Sequence, residues 1–331
     1  MATVLITGGT GLIGTALSKE LHAKGYEVII LSRSPEKYPS RNSGVSYAKW
    51  DLEKMTIAAE AIFKADYIVH LAGAGIADKR WTLKRKREIV ESRTQSSALL
   101  VKALTENVNH VKAVICASAV GWYGASAASE NETENGHSFI ESDPAADDFL
   151  GTTCQQWEVS IDPVLSLGKR IVKFRTGIVL SNQGGALKEF KKPLRFGFAT
   201  ILGNGKQIMS WIHIDDIVRL YIYAIENERL HGVYNAVAPH PVTNKKFMLQ
   251  LARSLRGKFF VPFYVPSFIL EAVFGELSIE VLKNAPVSCK KIKKEGYQFT
   301  YPSITAALHQ LNNRNLSPFP SPQAERGDER S

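Results

Sequence analysis

The chain has 331 residues, of which 44% are hydrophobic and 22% charged, and a formal net charge of +9. These values exclude a disordered or fibrous chain, and the length suggests two domains or one large domain with an appendage. No apolar run reaches the roughly 20 residues that a membrane span needs, and the N-terminus lacks the charged region of a signal peptide. Three scattered cysteines fit neither a disulfide framework nor a metal site. We therefore expect a cytoplasmic protein.

The first half of the sequence alternates strand-like and helix-like segments. An apolar run at 4–7 predicts a strand, and 12–24 places apolar residues at helical spacing until Gly25. The pattern then repeats, with predicted strands at 28–31, 67–71, 111–117 and 170–175 and predicted helices at 57–63, 88–104 and 149–161. This alternation predicts an α/β fold with a doubly wound parallel sheet that helices cover on both faces.

The pattern changes after Gly177. Residues 181–211 hold five glycines and a proline and show little periodicity, so we expect an excursion that lines a substrate pocket. A helix at 214–226 and a short strand at 234–238 follow. We predict a cofactor-binding domain at 1–240, a smaller, mainly helical domain at 241–311, and a disordered tail at 312–331.

The glycine-rich segment 7–14 carries the strongest local signal, because it follows a predicted strand and opens a predicted helix. Gly8 permits a tight turn, Gly11 lets the backbone approach a pyrophosphate, and Gly14 allows close packing of helix and strand. The free N–H groups of the helix N-terminus favour phosphate there. The expected contacts are Gly8, Thr10, Gly11, Leu12, Ile13 and Gly14. The segment predicts a dinucleotide site in a Rossmann-type fold.

The end of the second predicted strand indicates which cofactor binds. An NAD site places Asp or Glu there to bind the 2′-hydroxyl of the adenosine ribose. This chain has Ser32 and Arg33, and Arg33 follows Gly14 by 19 residues. A guanidinium can form charge-assisted hydrogen bonds with a 2′-phosphate, and the Ser32 hydroxyl can add a donor. The alternative is a solvent-facing arginine without a ligand. The sequence favours NADP(H).

The excess of basic residues raises the question of nucleic-acid binding. These residues are mostly dispersed, and the one dense run, 79–87, lies in a helical pattern that is typical of a solvated face. We therefore expect a small-molecule substrate as partner, with neither nucleic acid nor a membrane. The region 79–93 shows no clear apolar seam, and the sequence leaves a homodimer open.

Several motifs resemble the extended branch of the short-chain dehydrogenase/reductase superfamily: the glycine-rich start at 7–14, His70-Leu71-Ala72-Gly73-Ala74-Gly75, Ser118 after the fifth strand, and Trp211-Ile212-His213-Ile214-Asp215-Asp216. Segments such as 118–124 and 296–299 are similar to NAD(P)-binding epimerase-family proteins, formerly described as cell-division-inhibitor-like nucleoside-diphosphate-sugar epimerases. The resemblance covers about 3–311. It implies epimerase or reductase chemistry on a nucleotide-sugar-like or small carbonyl substrate.

The resemblance implies further cofactor contacts, each of which is also compatible with ordinary packing. They are Leu71, Ala72 and Gly73 beneath the pyrophosphate, Asp51 and Leu52 beside the adenine, Glu88, Ser92 and Arg93 on the next helix, and 177–179, including Val179, near the nicotinamide. Arg93 is the strongest of these candidates, because it is a charge within an apolar helical stretch.

The catalytic pattern of the superfamily is missing. Its members carry Tyr-x-x-x-Lys on the helix after the fifth strand, where this chain has Leu150 and Cys154. In one interpretation, Ser118 binds the reacting oxygen and Tyr123 exchanges its proton, weakly, because no lysine lowers a tyrosine pKa near 10. In the other, both hydroxyls only bind a ligand. The corresponding functions are an NADP(H)-dependent epimerase or reductase and an NADPH-sensing regulatory protein with little turnover.

Overall fold

The computed structural model describes residues 1–38, 44–126 and 138–312. Its strands are β1 (Thr3–Thr7), β2 (Glu27–Ser32), β3 (Val45–Asp51), β4 (Thr56–Ile57), β5 (Tyr67–His70), β6 (Ala113–Ala119), β7 (Arg170–Thr176), β8 (Ile178–Leu180), β9 (Phe198–Leu202), β10 (Ile208–Met209), β11 (Trp211–His213), β12 (Gly232–Ala236), β13 (Val242–Thr243) and β14 (Val261–Val265). Its α-helices are α1 (Leu12–Ala23), α2 (Ala59–Lys64), α3 (Leu83–Glu106), α4 (Phe149–Ile161), α5 (Ala186–Leu194), α6 (Ile214–Glu226), α7 (Asn244–Arg256), α8 (Ser267–Phe274), α9 (Leu277–Leu282), α10 (Lys290–Lys294) and α11 (Ile304–Asn312). Of the tail predicted to be disordered, Asn312 ends α11 and the rest lies outside the described residues.

Eight strands form the central sheet in the order β12-β7-β6-β5-β1-β2-β3-β4. All neighbours are parallel except β3 and β4, which are antiparallel. The chain builds outward from β1 to β3 on one side and from β5 to β12 on the other. The sheet therefore has its switch point between β1 and β5, and such a point opens a crevice at the carboxyl ends of the strands. The predicted doubly wound Rossmann-type fold is confirmed.

Helices cover both faces of this sheet, because its inner strands are apolar on both faces. On β1, Val4 and Ile6 pack with Leu17 of α1 and with α6. Leu5 points to the other face and packs in a second core with α2, α3 and the end of α4. All five residues of β1 are buried. A continuous apolar run rather than an alternating one is what a strand covered on both faces requires.

The structure differs from the expectation that 181–211 is an unpacked excursion. This segment forms α5, β9 and β10, and Leu187 and Trp211 belong to a third core that they share with Phe247 of α7 and Leu308 of α11. Its five glycines lie at turns between very short elements, and its one proline, Pro193, lies inside α5. Each apolar run is therefore too short to show a period. This core extends across position 240, where the sequence predicts a domain boundary.

The three cysteines are buried free thiols. Burial raises the pKa of Cys116 and of Cys154 to about 12 and that of Cys289 to about 11. They are therefore protonated and unreactive at neutral pH. Within 1–38, 44–126 and 138–312, none of the helices has both the length and the apolar character that crossing a bilayer demands.

Candidate functional site

A cleft of about 1320 Å³ opens at the carboxyl ends of β1, β2 and β5. This volume exceeds the 300–1,000 Å³ that is typical of pockets for small ligands, so the cleft has room for a dinucleotide. Eleven of the predicted cofactor-binding residues line it: Gly8, Thr10, Gly11, Ser32, Arg33, Leu52, Leu71, Ala72, Gly73, Glu88 and Ser92. The other predicted contacts do not: Leu12, Ile13, Gly14, Asp51, Arg93 and the segment 177–179, including Val179.

The turn between β1 and α1 is too tight for side chains at three of its glycines, and a Cβ on Gly9 would lie 2.7 Å from the Ile30 side chain. Gly8 has a φ of +68°, and a Cβ there would lie 2.8 Å from the carbonyl of Leu71. A Cβ on Gly14 would lie 2.3 Å from the Gly8 oxygen. Gly11 precedes α1, and no side chain caps the helix at this point. The first N–H groups of α1 are therefore available to an anion beside the cleft.

A buried hydroxyl holds the two sides of this turn together. Thr7 Oγ1 accepts hydrogen bonds from the backbone N–H groups of Leu71 and Ala72, each at 3.1 Å, and lies 2.7 Å from Nδ1 of His70. Because its own proton must go to this nitrogen, the imidazole carries its proton on Nε2, which lies 3.1 Å from Ser97 Oγ. Burial lowers the pKa of His70 to about 3, so the ring is neutral.

Thr7 and His70 belong to motifs named in the sequence analysis, which predicts no role for either. Their register in the sheet is the feature that could have revealed one. Each follows apolar residues at the end of a buried strand, and the pairing of β1 with β5 places them side by side. A polar pair in register at the ends of buried strands must satisfy its own hydrogen bonds, and here it does so by fixing the backbone under the glycine turn.

The end of β2 presents a guanidinium to the cleft. Arg33 is exposed, and among the described residues it forms no ion pair with a carboxylate. Ser32 Oγ accepts from the N–H of Ser34 at 3.1 Å, which leaves its own proton free to donate. Lys37 lines the same cleft. This wall can therefore offer two cations and a hydroxyl to an anion.

Two predicted contacts on α3 have protein partners instead. Arg93 Nη1 donates to the carbonyl oxygens of Ala74 and Ile89 at 3.0 and 2.9 Å, and its guanidinium lies 4.9 Å from the Trp157 ring centroid. Arg93 therefore supports the loop that lines the cleft rather than lining it. Glu88 reaches the cleft, but its carboxylate pairs with Arg85 at 2.7 Å.

Asp51 and Val179 also lie elsewhere than expected. The Asp51 carboxylate accepts from the N–H groups of Glu53 and Lys54, at 3.0 and 3.1 Å, and so stabilises the turn after β3. Leu52, its neighbour, is the residue that lines the cleft. Val179 lies in β8 and, like Leu12, packs at the edge of the first core.

The sequence predicts that Ser118 and Tyr123 face a substrate. In the structure they lie in a buried polar network instead. Ser118 is 3% exposed, and its hydroxyl donates to Glu158 Oε1 at 2.7 Å. Tyr123 is 0% exposed; its hydroxyl donates to Asn235 Oδ1 at 2.7 Å and accepts from Arg175 Nη1 at 3.1 Å. Arg175 joins the two halves through a bidentate pair with Glu158, at 2.8 and 3.1 Å.

This network opposes proton transfer by Tyr123. Burial raises the pKa of Tyr123 to about 12, and the nearby Arg175 only partly counters that rise. The positions of the missing catalytic pair, Leu150 and Cys154, are themselves buried. Sequence reasoning missed Arg175 and Asn235. Their signal was again register, because Ser118, Arg175 and Asn235 form one polar row across β6, β7 and β12.

We expect Thr7→Val to lower the free energy of unfolding by about 2–4 kcal/mol, because the N–H of Ala72 and Nδ1 of His70 lose their partner, whereas the N–H of Leu71 keeps the Thr7 carbonyl. Urea denaturation measures this loss. The matched control is Thr105→Val, on the exposed surface of α3, where we expect a change within about 0.5 kcal/mol. Equal effects of the two substitutions would contradict the role assigned to Thr7.

We expect Tyr123→Phe to lower the free energy of unfolding by about 1–3 kcal/mol, because the amide of Asn235 and the guanidinium of Arg175 each lose a partner. Affinity for NADPH, measured by tryptophan fluorescence, should stay within about twofold, since the hydroxyl does not reach the cleft. Tyr67→Phe, at the start of β5 and therefore at the edge of the sheet opposite the cleft, is the control. Weaker NADPH binding at unchanged stability would show that Tyr123 contacts the ligand.

Comparison with known proteins places the chain in a family. Residues 4–144 and 188–236 match the model of the NAD dependent epimerase/dehydratase family, and 265–311 match a domain of unknown function, DUF1731. Human epimerase family protein SDR39U1 is 33% identical over 312 residues, which cover 93% of this chain and 99% of the relative. Epimerase family protein YfhF of Bacillus subtilis (strain 168) is 33% identical over 309 residues, covering 93% and 97%. The crystal structure of human SDR39U1 (isoform 2) with NADPH matches with a TM-score of 0.80 and 32% identity, over 95% of this chain and 100% of that one. The resemblance seen in the sequence is confirmed, and the chain belongs to the NAD dependent epimerase/dehydratase family.

Proposed function

We propose that this protein binds NADP(H) in the cleft at the carboxyl ends of β1, β2 and β5. The observation that carries the proposal is the turn from Gly8 to Gly14, which has no room for a Cβ at either end and leads into an uncapped helix beside the cleft. The solved human relative, whose structure holds NADPH, supports the same cofactor. NAD(H) would fit the turn equally well, so the choice between the two cofactors depends on the end of β2.

The pyrophosphate would lie against the helix N-terminus. Thr10 and Gly11 line the cleft, and the N–H groups of Leu12 and Ile13 begin the helix directly behind them. These groups can bind a phosphate without lining the cleft with their side chains, because the donors belong to the backbone. Gly14 acts indirectly, by letting α1 pack onto Gly8.

The 2′-phosphate would lie at Ser32 and Arg33, with Lys37 as a second cation. A guanidinium free of carboxylate partners among the described residues can bind a phosphate without first breaking an ion pair. Leu52 and Ala72 line the cleft as apolar surface for the adenine. A nicotinamide cofactor supplies hydride transfer to carbon when it is bound.

The substrate of such a protein would be a nucleotide-sugar-like or small carbonyl compound, acted on by epimerase or reductase chemistry. That chemistry needs a group that exchanges a proton with the reacting oxygen. We propose that Ser118 and Tyr123 are structural in this chain, because Glu158, Asn235 and Arg175 occupy their hydroxyls. Any proton exchange must then involve another group.

The burial of Ser118 and Tyr123 favours a second candidate function. In it the protein binds NADPH with little turnover, and the bound or empty state of the cleft has a regulatory role. Affinity for the cofactor depends on the glycine turn and Arg33, whereas turnover depends on the hydroxyls that the network sequesters. Cofactor binding can therefore persist without turnover.

We expect NADPH to bind at least about tenfold more tightly than NADH, because a hydrogen bond to a charged group contributes about 1.5–3 kcal/mol. Arg33→Ala should erase this preference by weakening NADPH binding alone, as measured by fluorescence titration with both cofactors. Arg229→Ala, at an exposed position remote from the cleft, should change neither affinity. Equal affinities of the unaltered protein for both cofactors would refute the 2′-phosphate site.

Turnover separates the two candidate functions. We expect that nucleotide sugars and small carbonyl compounds, screened by NADPH absorbance or by product chromatography, give rates that Tyr123→Phe leaves unchanged where the variant stays folded. An occupancy sensor would show no turnover and a smaller radius of gyration in solution scattering when NADPH is added. A rate that Tyr123→Phe abolishes would restore Tyr123 as the proton donor.

A further inference from the structure

We propose that a second cavity, beside the cofactor cleft, binds a small planar aromatic anion. This outer cavity has a volume of about 550 Å³ and lies between α1, the paired strands β2 and β3, and residues 37–38, which follow β2. Pockets for small ligands measure about 300–1,000 Å³, so the outer cavity has the size of a binding site. It lies outside the cofactor cleft and does not depend on which dinucleotide binds there.

The order of the strands explains why this space is open. On this face of the sheet α1 packs against β1 and β2, and β3 lies one strand further out. Val45 and Tyr47 of β3 are two positions apart and therefore point to the same face, where they are only partly buried. With Ile30 of β2 they give the outer cavity an apolar floor.

A single stripe of α1 forms one wall of the outer cavity. Thr15, Ser18, Lys19 and His22 line it, and their spacing of three and four residues places them on one side of the helix. The Ser18 hydroxyl already donates to the carbonyl of Gly14 at 2.7 Å. The wall therefore presents mainly the ammonium group of Lys19 and the ring of His22 to a ligand.

Two stacked rings form the aromatic part of the outer cavity. The ring centroids of Tyr38 and Tyr47 lie 4.9 Å apart, with an angle of 13° between the ring planes, and both residues line the cavity. Tyr38 is 40% exposed, so its ring is not enclosed by the protein. Flat ring faces beside an apolar floor favour a planar aromatic ligand over a sugar or a bare phosphate, which would leave these surfaces without a partner.

The charges around the outer cavity select an anion. Of the described residues that line it, two are lysines, one is a histidine and none is acidic. Neither Lys19 nor Lys37 forms an ion pair among the described residues. Their neighbours in the chain, Glu20 and Glu36, do not line the outer cavity. A carboxylate can therefore pair with these ammonium groups without breaking an existing ion pair.

The outer cavity and the cofactor cleft share one cation. Lys37 lines both, together with Thr10 and Tyr38. An ammonium group that neutralises a 2′-phosphate attracts a second anion less strongly, and coupling between two ligands is reciprocal. NADPH and an aromatic anion should therefore weaken each other, whereas NADH should have no such effect. This coupling rests on the proposed 2′-phosphate site; the outer cavity itself does not.

Equilibrium dialysis of the full 331-residue chain against 2-naphthoate tests the outer cavity. We expect one molecule bound per chain, at least about tenfold more tightly than the neutral analogue 2-naphthamide, because only the carboxylate forms charge-assisted hydrogen bonds. Saturating NADH, which fills the cofactor cleft, should leave the dissociation constant of 2-naphthoate within about twofold.

Substitutions on opposite sides of the outer cavity separate charge from ring contacts. Lys19→Glu should weaken 2-naphthoate at least about tenfold and leave 2-naphthamide within about twofold. Tyr38→Ala should weaken both compounds at least about threefold, because both lose a ring contact. The matched control is Lys188→Glu, an exposed lysine on α5 that lines neither cavity, and it should change neither affinity. Circular dichroism shows that each variant remains folded.

Several results would overturn the outer cavity as a site for an aromatic anion. They are a lack of 2-naphthoate binding, equal affinities for the acid and the amide, and a dissociation constant that Lys19→Glu leaves unchanged. Displacement of 2-naphthoate by NADH would place the compound in the cofactor cleft and would overturn it as well.

The shared cation has its own test. Saturating NADPH should raise the dissociation constant of 2-naphthoate at least about threefold, since the 2′-phosphate then occupies Lys37. If NADPH binds and leaves the affinity for 2-naphthoate unchanged, Lys37 does not couple the two ligands. A protein that binds 2-naphthoate but neither dinucleotide would refute the proposed function and leave the outer cavity confirmed.

Discussion

The cofactor cleft depends on one hydroxyl group between two parallel strands. Thr7 is the last residue of β1, and the glycine turn follows it. His70 is the last residue of β5, and the loop that follows it lies close to that turn. The Thr7 hydroxyl satisfies two backbone N–H groups of the loop and one imidazole nitrogen at once. This is possible only while His70 is neutral, and burial ensures it by lowering the pKa of the ring to about 3. The backbone that approaches the ligand is thus held by a buried network rather than by the ligand itself.

A second row of buried polar residues also satisfies its own hydrogen bonds, but it uses hydroxyls that could have served chemistry. Ser118, Arg175 and Asn235 lie side by side on three strands, and Glu158 reaches them from α4. A buried arginine without a carboxylate would be costly, so the bidentate pair fixes Glu158 and leaves the remaining donors to Tyr123. The hydroxyls that could have served chemistry complete this network. Apolar Leu150 and the protonated thiol of Cys154 supply no cation to activate a tyrosine.

The sequence was sufficient for features that a single segment encodes. The glycine turn, the end of β2 at Arg33 and most strands and helices could be predicted, because each depends on residues close together in the chain. The polar rows could not, because they arise from register between strands that are far apart in sequence. The packing of 181–211 was hidden by the shortness of its elements. Asp51 illustrates a third reason: its carboxylate prefers two adjacent backbone N–H groups, which compete with any ligand.

The cleft and helix α8 are linked by one segment, residues 79–86, which lead into α3 and form its first turn. Lys79 and Lys84 of this segment line the cleft. Between and beside them, Arg80 Nη1 donates to the carbonyl of Ala272 in α8 at 3.4 Å, and Lys86 pairs with Glu276. A ligand that alters the position of this segment therefore acts on the helix that carries Phe268. A protein that keeps its phosphate-binding backbone and buries its hydroxyls has, in this segment, a physical path by which cofactor binding can act without turnover.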